Sequence, residues 1–234
     1  MTRDADSPRL GLPAALIAAA IALPIAMGAA GLASWLEAAS FVTGAVCVWL
    51  TVRENIWNFP LGLANVATYS VVFFQARLFA DAGLQVVYFI LGVIGWTMWL
   101  RGGERRTALR IHRAGRLELA ATALFAVGST VILWRTLRLV GGSSSFLDAL
   151  TTSLSLASQW LLNRKKVETW IGWIVVDIIY VPLYLSKGLH LTAVLYAVFL
   201  GMATLGLREW RRRLAESEAA PPAAGAAPMR ESAP

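Results

Sequence analysis

Eight long apolar runs constrain this 234-residue chain more than any other feature of its sequence. An α-helix needs about 17–25 apolar residues to cross a bilayer, where every backbone polar group must be hydrogen-bonded within the protein. The chain is 57% hydrophobic and only 15% charged, which excludes an ordinary soluble domain. We therefore predict an all-α integral membrane protein with helices at 10–31, 34–52, 59–74, 84–100, 118–139, 147–162, 169–185 and 191–207.

The basic residues indicate how these helices are oriented. With the N-terminus inside, seventeen of the 21 Lys and Arg residues fall on the cytoplasmic side, and cytoplasmic loops are normally enriched in both. The C-terminus is then cytoplasmic whether or not the first run is kept. That run also fits a secretory signal peptide, although we favour an uncleaved extra helix. The net charge of +7 lies in short clusters between apolar runs, which argues against nucleic-acid binding.

Weak internal similarity predicts a duplicated three-helix unit. Residues recur 111 positions apart in three pairs: Trp49 and Trp160, Arg53 and Arg164, Tyr69 and Tyr180. Tyr88 and Tyr196 are 108 positions apart, which suggests a shorter connection in the second copy. Both copies have the same orientation because one odd helix separates them, and parallel repeats are a transporter architecture. The predicted segments are an N-terminal segment with the extra helix (1–33), a first repeat (34–100), a basic loop and connecting helix (101–146), a second repeat (147–213) and a disordered tail (214–234).

One apolar run carries an unusual stripe of polar and aromatic residues. Trp170, Trp173, Asp177, Tyr180 and Tyr184 have the spacing of one helix face. A charge at bilayer depth costs about 2.5–3.5 kcal/mol, so we expect Asp177 to face a cavity or a partner. A carboxylate among indole and phenol rings suits a flat ligand that is cationic or rich in hydroxyl groups.

Other runs also carry polar residues at mid-membrane positions. Two of these runs place such residues on one helix face. The first face contains Asn58, Gly62, Asn65 and Tyr69, and the second contains Thr152, Ser155, Gln159 and Asn163. Because amides both donate and accept hydrogen bonds, we add Asn58, Asn65, Gln85, Tyr88 and Gln159 to the candidate binding residues. Polar residues in membrane helices also join helices to one another, the role that we favour for Thr152 and Ser155. Gly62, Gly92 and Gly95 are interpreted as close-packing positions.

The sequence carries no signature of an enzyme or of a metal site. Walker A, HExxH, GxSxG and GxGxxG patterns are absent, and one mid-span carboxylate is too few for an intramembrane acid protease. His112 lies in the basic loop, His190 lies near the outer surface, and Cys47 has no second cysteine with which to form a disulfide. We predict a protein that is not an enzyme and needs no cofactor or metal.

At these residues the chain resembles the PnuC family of bacterial vitamin transporters, whose characterised members carry nicotinamide riboside. The resemblance covers about residues 34–213. The matching stretches are Arg53-Glu-Asn-Ile-Trp-Asn-Phe-Pro-Leu-Gly62, Leu84-Gln-Val-Val-Tyr88, Gly95-Trp96, Ser158-Gln-Trp160, Trp170-x-x-Trp173-x-x-x-Asp177, Tyr184 and Lys187-Gly-Leu189.

The resemblance implies a 3+1+3 helix arrangement like that of the SWEET sugar transporters, a homotrimer, and a location in the bacterial inner membrane. It also implies facilitated diffusion of nicotinamide riboside into the cytoplasm, where phosphorylation traps it. Trp170 and Trp173 would stack on the pyridinium ring, Gln159 and Asn65 would be amide partners, and Asp177 would meet the ribose or the positive ring.

Two alternatives to this function stay open. The same fold could carry another flat vitamin, thiamin or riboflavin, because the sequence does not fix ring size. A membrane receptor or scaffold that binds the ligand without moving it belongs to a different class. A measurement of flux separates transport from binding alone.

Overall fold

Helices make up nearly all of the chain that can be described. The computed structural model describes residues 11–31, 35–75, 79–139, 145–186 and 190–219. Within these ranges the helices are α1 (Gly11–Ala29), α2 (Trp35–Val52), α3 (Asn58–Gln75), α4 (Phe79–Arg101), α5 (Arg116–Leu139), α6 (Ser145–Asn163), α7 (Thr169–Ser186) and α8 (His190–Ala219). Each coincides with one predicted apolar run, so the all-helical prediction is confirmed.

The last helix is longer than its apolar run. It continues past residue 207 to Ala219, where Trp210 and Leu214 are buried in the core. Arg212 and Arg213 add ion pairs with Glu209 at 2.7 and 2.8 Å, one turn away along the helix. The tail expected at 214–234 therefore overlaps the end of α8, and its remainder, 220–234, lies outside the described residues.

Composition and exposure place these helices in a membrane. By length and hydropathy, four helices of the described chain can cross a bilayer: Gly83–Arg101, Arg116–Leu139, Thr169–Ser186 and Ala193–Ala219. Two shorter apolar helices lie at Ile17–Ala29 and Phe41–Val52. On α5, the exposed fractions of Leu117, Leu124 and Ile132 are 85%, 74% and 67%, as expected of side chains that meet lipid. The protein is a multi-pass membrane protein.

The helices pack mainly with their neighbours along the chain. Close contacts join α1 to α2, α2 to α3, α3 to α4, α5 to α6, α6 to α7 and α7 to α8. Two further contacts, between α2 and α8 and between α4 and α6, bring the two predicted halves together. The extra helix α1 packs against α2 and α8, and α5 lies against α6.

The basic segments meet at one end of the bundle, which we call the basic end. The Glu54 carboxylate, just after α2, forms ion pairs with Lys165 Nζ at 3.0 Å and with Arg213 Nη1 at 2.8 Å. Glu118 pairs with Arg164 and Lys166 at 3.2 and 3.1 Å. The segments after α2, after α6 and at the end of α8 therefore share a side, as the charge pattern predicts.

Helices α2 and α6 end in the same way at this end. Glu54 and Lys165 both adopt left-handed backbone conformations, with φ of 56° and 49°. The amides of the next residues, Asn55 and Lys166, donate to carbonyls five positions back, at 2.8 and 2.9 Å. Such helix ends usually use glycine, because other residues are less stable in this conformation. Here the two strained residues pair with each other through their side chains.

Two buried indole rings near the Glu54–Lys165 ion pair connect neighbouring helices through hydrogen bonds. Trp99 Nε1 on α4 donates to the Leu162 carbonyl of α6 at 3.0 Å, and Trp210 Nε1 on α8 donates to the Thr51 carbonyl of α2 at 3.3 Å. Phe59 packs edge-on against Trp99 with ring centres 5.1 Å apart, and Trp170 packs edge-on against Trp210 at 5.4 Å. We call these four rings, Phe59, Trp99, Trp170 and Trp210, the indole layer.

The basic loop between α4 and α5 is held against the same end. The His112 amide donates to the Lys165 carbonyl at 3.1 Å, and the Val167 amide donates to the His112 carbonyl at 3.0 Å. Glu168 accepts a hydrogen bond from the Ala114 amide at 2.8 Å. The loop thus docks onto the connection between α6 and α7.

Candidate functional site

A cavity of about 550 Å³ lies between six of the helices, and no described residue of α1 or α5 lines it. Its wall comes from α2, α3, α4, α6, α7 and α8. At the basic end, Phe59 and Trp170 of the indole layer form part of that wall. The volume lies in the usual range for a small-molecule site, about 300–1,000 Å³.

Eight of the ten predicted binding residues line this cavity. They are Asn58, Gln85, Tyr88, Gln159, Trp170, Trp173, Asp177 and Tyr180. A larger groove of about 770 Å³ between α4, α5 and α6 is lined by none of the ten, and its walls include Val87, Phe125 and Trp160. The polar residues selected from the sequence therefore converge on the smaller cavity.

Asp177 is the most unusual group in the cavity wall. Its exposed fraction is only 6%, and among the described residues its carboxylate makes neither a hydrogen bond nor an ion pair. A buried carboxylate without a partner is costly unless a cation or a hydrogen-bond donor reaches it. The cavity is the direction from which such a group can come.

The two tryptophans of the stripe are placed differently. Trp170 is 2% exposed, and a Cβ at Gly206 would lie 2.6 Å from its ring, so α8 packs directly on this indole. Its Nε1 has no hydrogen-bond partner within the described chain. Trp173 also lines the cavity and is only partly buried. Stacking on a ligand is therefore better suited to Trp173, whereas Trp170 is packed within the protein with its N–H enclosed.

Two predicted residues are not part of the cavity wall. Asn65 Nδ2 donates to Thr43 Oγ1 at 2.7 Å, so this amide joins α3 to α2. Tyr184 lies one turn beyond Tyr180 and stacks on Tyr196 with ring centres 5.1 Å apart. Both residues have the periodicity of the cavity face, but each is used in contacts between helices.

The remaining amides are partly engaged by the protein. Gln159 Nε2 donates to Asn163 Oδ1 at 3.0 Å, and Asn163 Nδ2 donates to the Leu91 carbonyl of α4 at 2.8 Å. Asn58 Nδ2 donates to the Asn55 carbonyl at 2.8 Å, just before the start of α3. These bonds hold Gln159 and Asn58, two of the three amide side chains in the cavity wall, in defined orientations.

Sequence reasoning missed one wall of the cavity. Tyr196, Phe199 and Ala203 of α8 line it at helical spacing, although they carry no charge or amide that would single them out. Thr152 and Ser155 also lie in the wall, where interhelical contact was favoured. The helical spacing of Tyr196 and Phe199 could have indicated this part of the cavity wall, but aromatic residues in apolar helices usually pack in a core.

Comparisons with known proteins agree with this architecture. The chain is 28% identical to the nicotinamide riboside transporter PnuC of Escherichia coli (strain K12), over 80% of this chain and 89% of that protein. It is 23% identical to the riboflavin/roseoflavin transporter RibM of Streptomyces davaonensis, over 75% of this chain and 84% of that protein. The crystal structure of the vitamin B3 transporter PnuC shares its fold, with a TM-score of 0.70 and 22% identity over 88% of this chain and 93% of the other.

A family model provides the assignment. The model described as nicotinamide mononucleotide transporter matches residues 34–212, a range that contains every residue lining the cavity. By this match, the chain belongs to the nicotinamide mononucleotide transporter family.

Proposed function

We propose that this protein carries nicotinamide riboside into the cytoplasm by facilitated diffusion across a bacterial inner membrane. The observation that carries the proposal is Asp177, a buried carboxylate without a protein partner in a cavity that also contains Trp173. Nicotinamide riboside has a positively charged pyridinium ring, which a carboxylate and an indole face can hold together. The relative in Escherichia coli is named for the same substrate.

The proposal includes a 3+1+3 arrangement of two parallel repeats. Contacts between the halves follow the spacing of 111 residues: Glu54 pairs with Lys165, which is 111 positions later. Trp99 and Trp210 are also 111 apart, as are the residues whose carbonyls they bind, Thr51 and Leu162. One spacing thus relates the residues of all three contacts.

In this proposal three cavity residues each contact a different part of the substrate. Trp173 covers a face of the ring, Asp177 balances its charge, and Gln159 meets the ribose or the carboxamide. The indole layer and the Glu54–Lys165 pair lie at the basic end of the cavity, which we place at the cytoplasm together with the C-terminus. We also propose a homotrimer and trapping of the nucleoside by phosphorylation; the mass of the purified protein in detergent tests the first.

Uptake into proteoliposomes tests the function. We expect labelled nicotinamide riboside to equilibrate across the membrane without ATP, because no nucleotide-binding motif occurs in the sequence. Accumulation of unmodified substrate above the outside level, abolished by collapse of a proton or sodium gradient, would contradict a facilitator. Binding without any flux would favour a receptor.

Riboflavin is the second candidate substrate, and the relative RibM specifically favours it. A competition panel of unlabelled nicotinamide riboside, riboflavin and thiamin against labelled nicotinamide riboside ranks the three. Full competition by riboflavin at equal concentration would assign the protein to the flavin branch of the family.

For Trp173 we expect Trp173→Ala to weaken binding of nicotinamide riboside by about 1–3 kcal/mol, because the indole face would be lost. Trp173→Phe should have a smaller effect. Isothermal titration of the detergent-purified protein measures both. Trp134→Ala is the matched control, because Trp134 is also partly buried but packs against Phe146 outside the cavity. Equal affinity of Trp173→Ala and wild type would make Trp173 a packing residue.

For Asp177 we expect Asp177→Asn to keep the melting temperature of the wild type and to lose about 1–3 kcal/mol of substrate affinity, the range for a charge-assisted hydrogen bond. No described side chain forms a hydrogen bond or an ion pair with this carboxylate, so its neutralisation breaks neither kind of contact. Glu104→Gln, at an exposed acid of the basic loop, is the control and should change neither quantity. A large fall in melting temperature with normal residual affinity would contradict a role in ligand binding.

A further inference from the structure

Two helical glycines leave part of the cavity wall without side chains. Gly44 on α2 and Gly62 on α3 both line the cavity. Glycine inside a helix is about 0.5–1 kcal/mol less stable than alanine, so such positions usually have a steric reason. Resting on the proposed function, we infer that Gly62, assisted by Gly44, determines the size of the ring that the cavity accepts.

The space beside these glycines differs from that beside the packing glycines. A Cβ at Gly62 would have only Cys47 Sγ within 4 Å, at 3.9 Å, and a Cβ at Gly44 would have only Phe199 Cζ, at 3.7 Å. Both are ordinary contact distances. Because Gly62 and Cys47 both line the cavity, a side chain longer than alanine at position 62 would take up cavity space.

Gly92 and Gly95 behave in the opposite way. A Cβ at Gly92 would lie 2.8 Å from Leu63 Cδ2, and one at Gly95 would lie 2.7 Å from Phe59 Cε1 and overlap the Asn163 amide. The close-packing interpretation thus fits these two glycines and is wrong for Gly62.

The corresponding positions of the second half carry side chains. Trp173 lies 111 positions after Gly62, and Ser155 lies 111 positions after Gly44. All four residues line the cavity. One half therefore presents an indole and a hydroxyl to the cavity, while the other presents bare backbone at the same two positions.

An unpartnered polar group indicates that a ligand occupies this space. Asp177 lines the cavity and is more than nine-tenths buried, and its carboxylate has neither a hydrogen bond nor an ion pair among the described residues. A flat ring that meets this group can lie along α3 only if position 62 carries nothing larger than a methyl group.

A series of variants at position 62 tests the inference. Gly62→Ala should keep the affinity for nicotinamide riboside within about threefold and should not lower the melting temperature, whereas Gly62→Leu should raise Kd at least about tenfold. Gly128→Ala and Gly128→Leu are the matched controls. Gly128 is a helical glycine of α5 with nothing within 4 Å of its Cβ position, and it lies outside the cavity wall.

Labelling of the native Cys47 gives a second readout that needs no substrate. This is the only cysteine of the chain, and its thiol lies in the cavity wall beside Gly62. Gly62→Leu should slow its reaction with a small methanethiosulfonate reagent at least about tenfold, and Gly128→Leu should leave the rate unchanged. This measurement stays valid even if nicotinamide riboside is not the substrate.

The outcomes separate the inference from the proposed function. Failure of the wild type to bind any of the three vitamins would overturn the function, while slower Cys47 labelling in Gly62→Leu would still support the steric role. Wild-type affinity in Gly62→Leu, an unchanged labelling rate, or a lower melting temperature for Gly62→Ala than for Gly128→Ala would each overturn the inference.

Discussion

Replacement of Glu54 by Gln is expected to lower the free energy of unfolding by about 3–5 kcal/mol, the range for removal of one partner from a buried ion pair. The Lys165 side chain is only 8% exposed, with Nζ 3.0 Å from Glu54 and 4.4 Å from the centre of the Trp99 ring. The neutral amide of Glu54→Gln can still accept a hydrogen bond from this ammonium but no longer balances its charge. Arg213 would lose its ion pair with Glu54 as well. Unfolding by denaturing detergent in mixed micelles measures the change.

A double variant shows whether the charge or the side-chain volume matters. Glu54→Gln combined with Lys165→Met should be more stable than Glu54→Gln alone, because the unpaired ammonium is gone. Glu216→Gln is the control, because that ion pair with Arg212 is exposed and should contribute less than about 1 kcal/mol. Equal stability of Glu54→Gln and Glu216→Gln would show that the pair does not hold the basic end together.

Trp210→Ala is expected to lower the free energy of unfolding by about 3–5 kcal/mol, as truncations of large buried aromatics do. Trp210 is fully buried, donates to the Thr51 carbonyl and packs edge-on against Trp170. Trp210→Phe keeps much of the volume but not the donor, so we expect a smaller loss of about 1–3 kcal/mol. The same unfolding measurement applies to both.

The matched control for this indole is Trp57→Ala. Trp57 is 66% exposed in the connection between α2 and α3, so its removal should change stability by less than about 0.5 kcal/mol. If Trp210→Ala were as stable as Trp57→Ala, the indole layer would not be a structural element of the fold.

Much of the fold could be predicted because the thickness of the bilayer sets both the length of an apolar run and the length of the helix that it forms. All eight helices lie where the runs do, and the spacing of Trp170, Trp173, Asp177 and Tyr180 correctly identified the cavity face of α7. The end of α8 was missed because its charged residues hide two buried ones, Trp210 and Leu214, which continue the apolar face of the helix beyond residue 207.

Other parts of the site depend on contacts that periodicity does not contain. Asn65 has the spacing of a ligand group, but its nearest acceptor is Thr43 on the next helix. Trp170 shares a face with Trp173, yet α8 packs close to its ring because residue 206 is glycine. A pattern along one helix identifies the face that turns inward, and the neighbouring helices decide which side chains remain available.

The contacts at the basic end also bear on the ancestry of the proposed repeats. Two identical copies of one ancestral unit could have formed both Trp–carbonyl bonds, because each copy would supply one indole and one carbonyl at symmetric positions. The same two copies could not have formed the Glu54–Lys165 pair, since symmetry would have placed like charges against each other. On the proposal of two repeats, this position therefore requires halves of different sequence, so that neither half can replace the other.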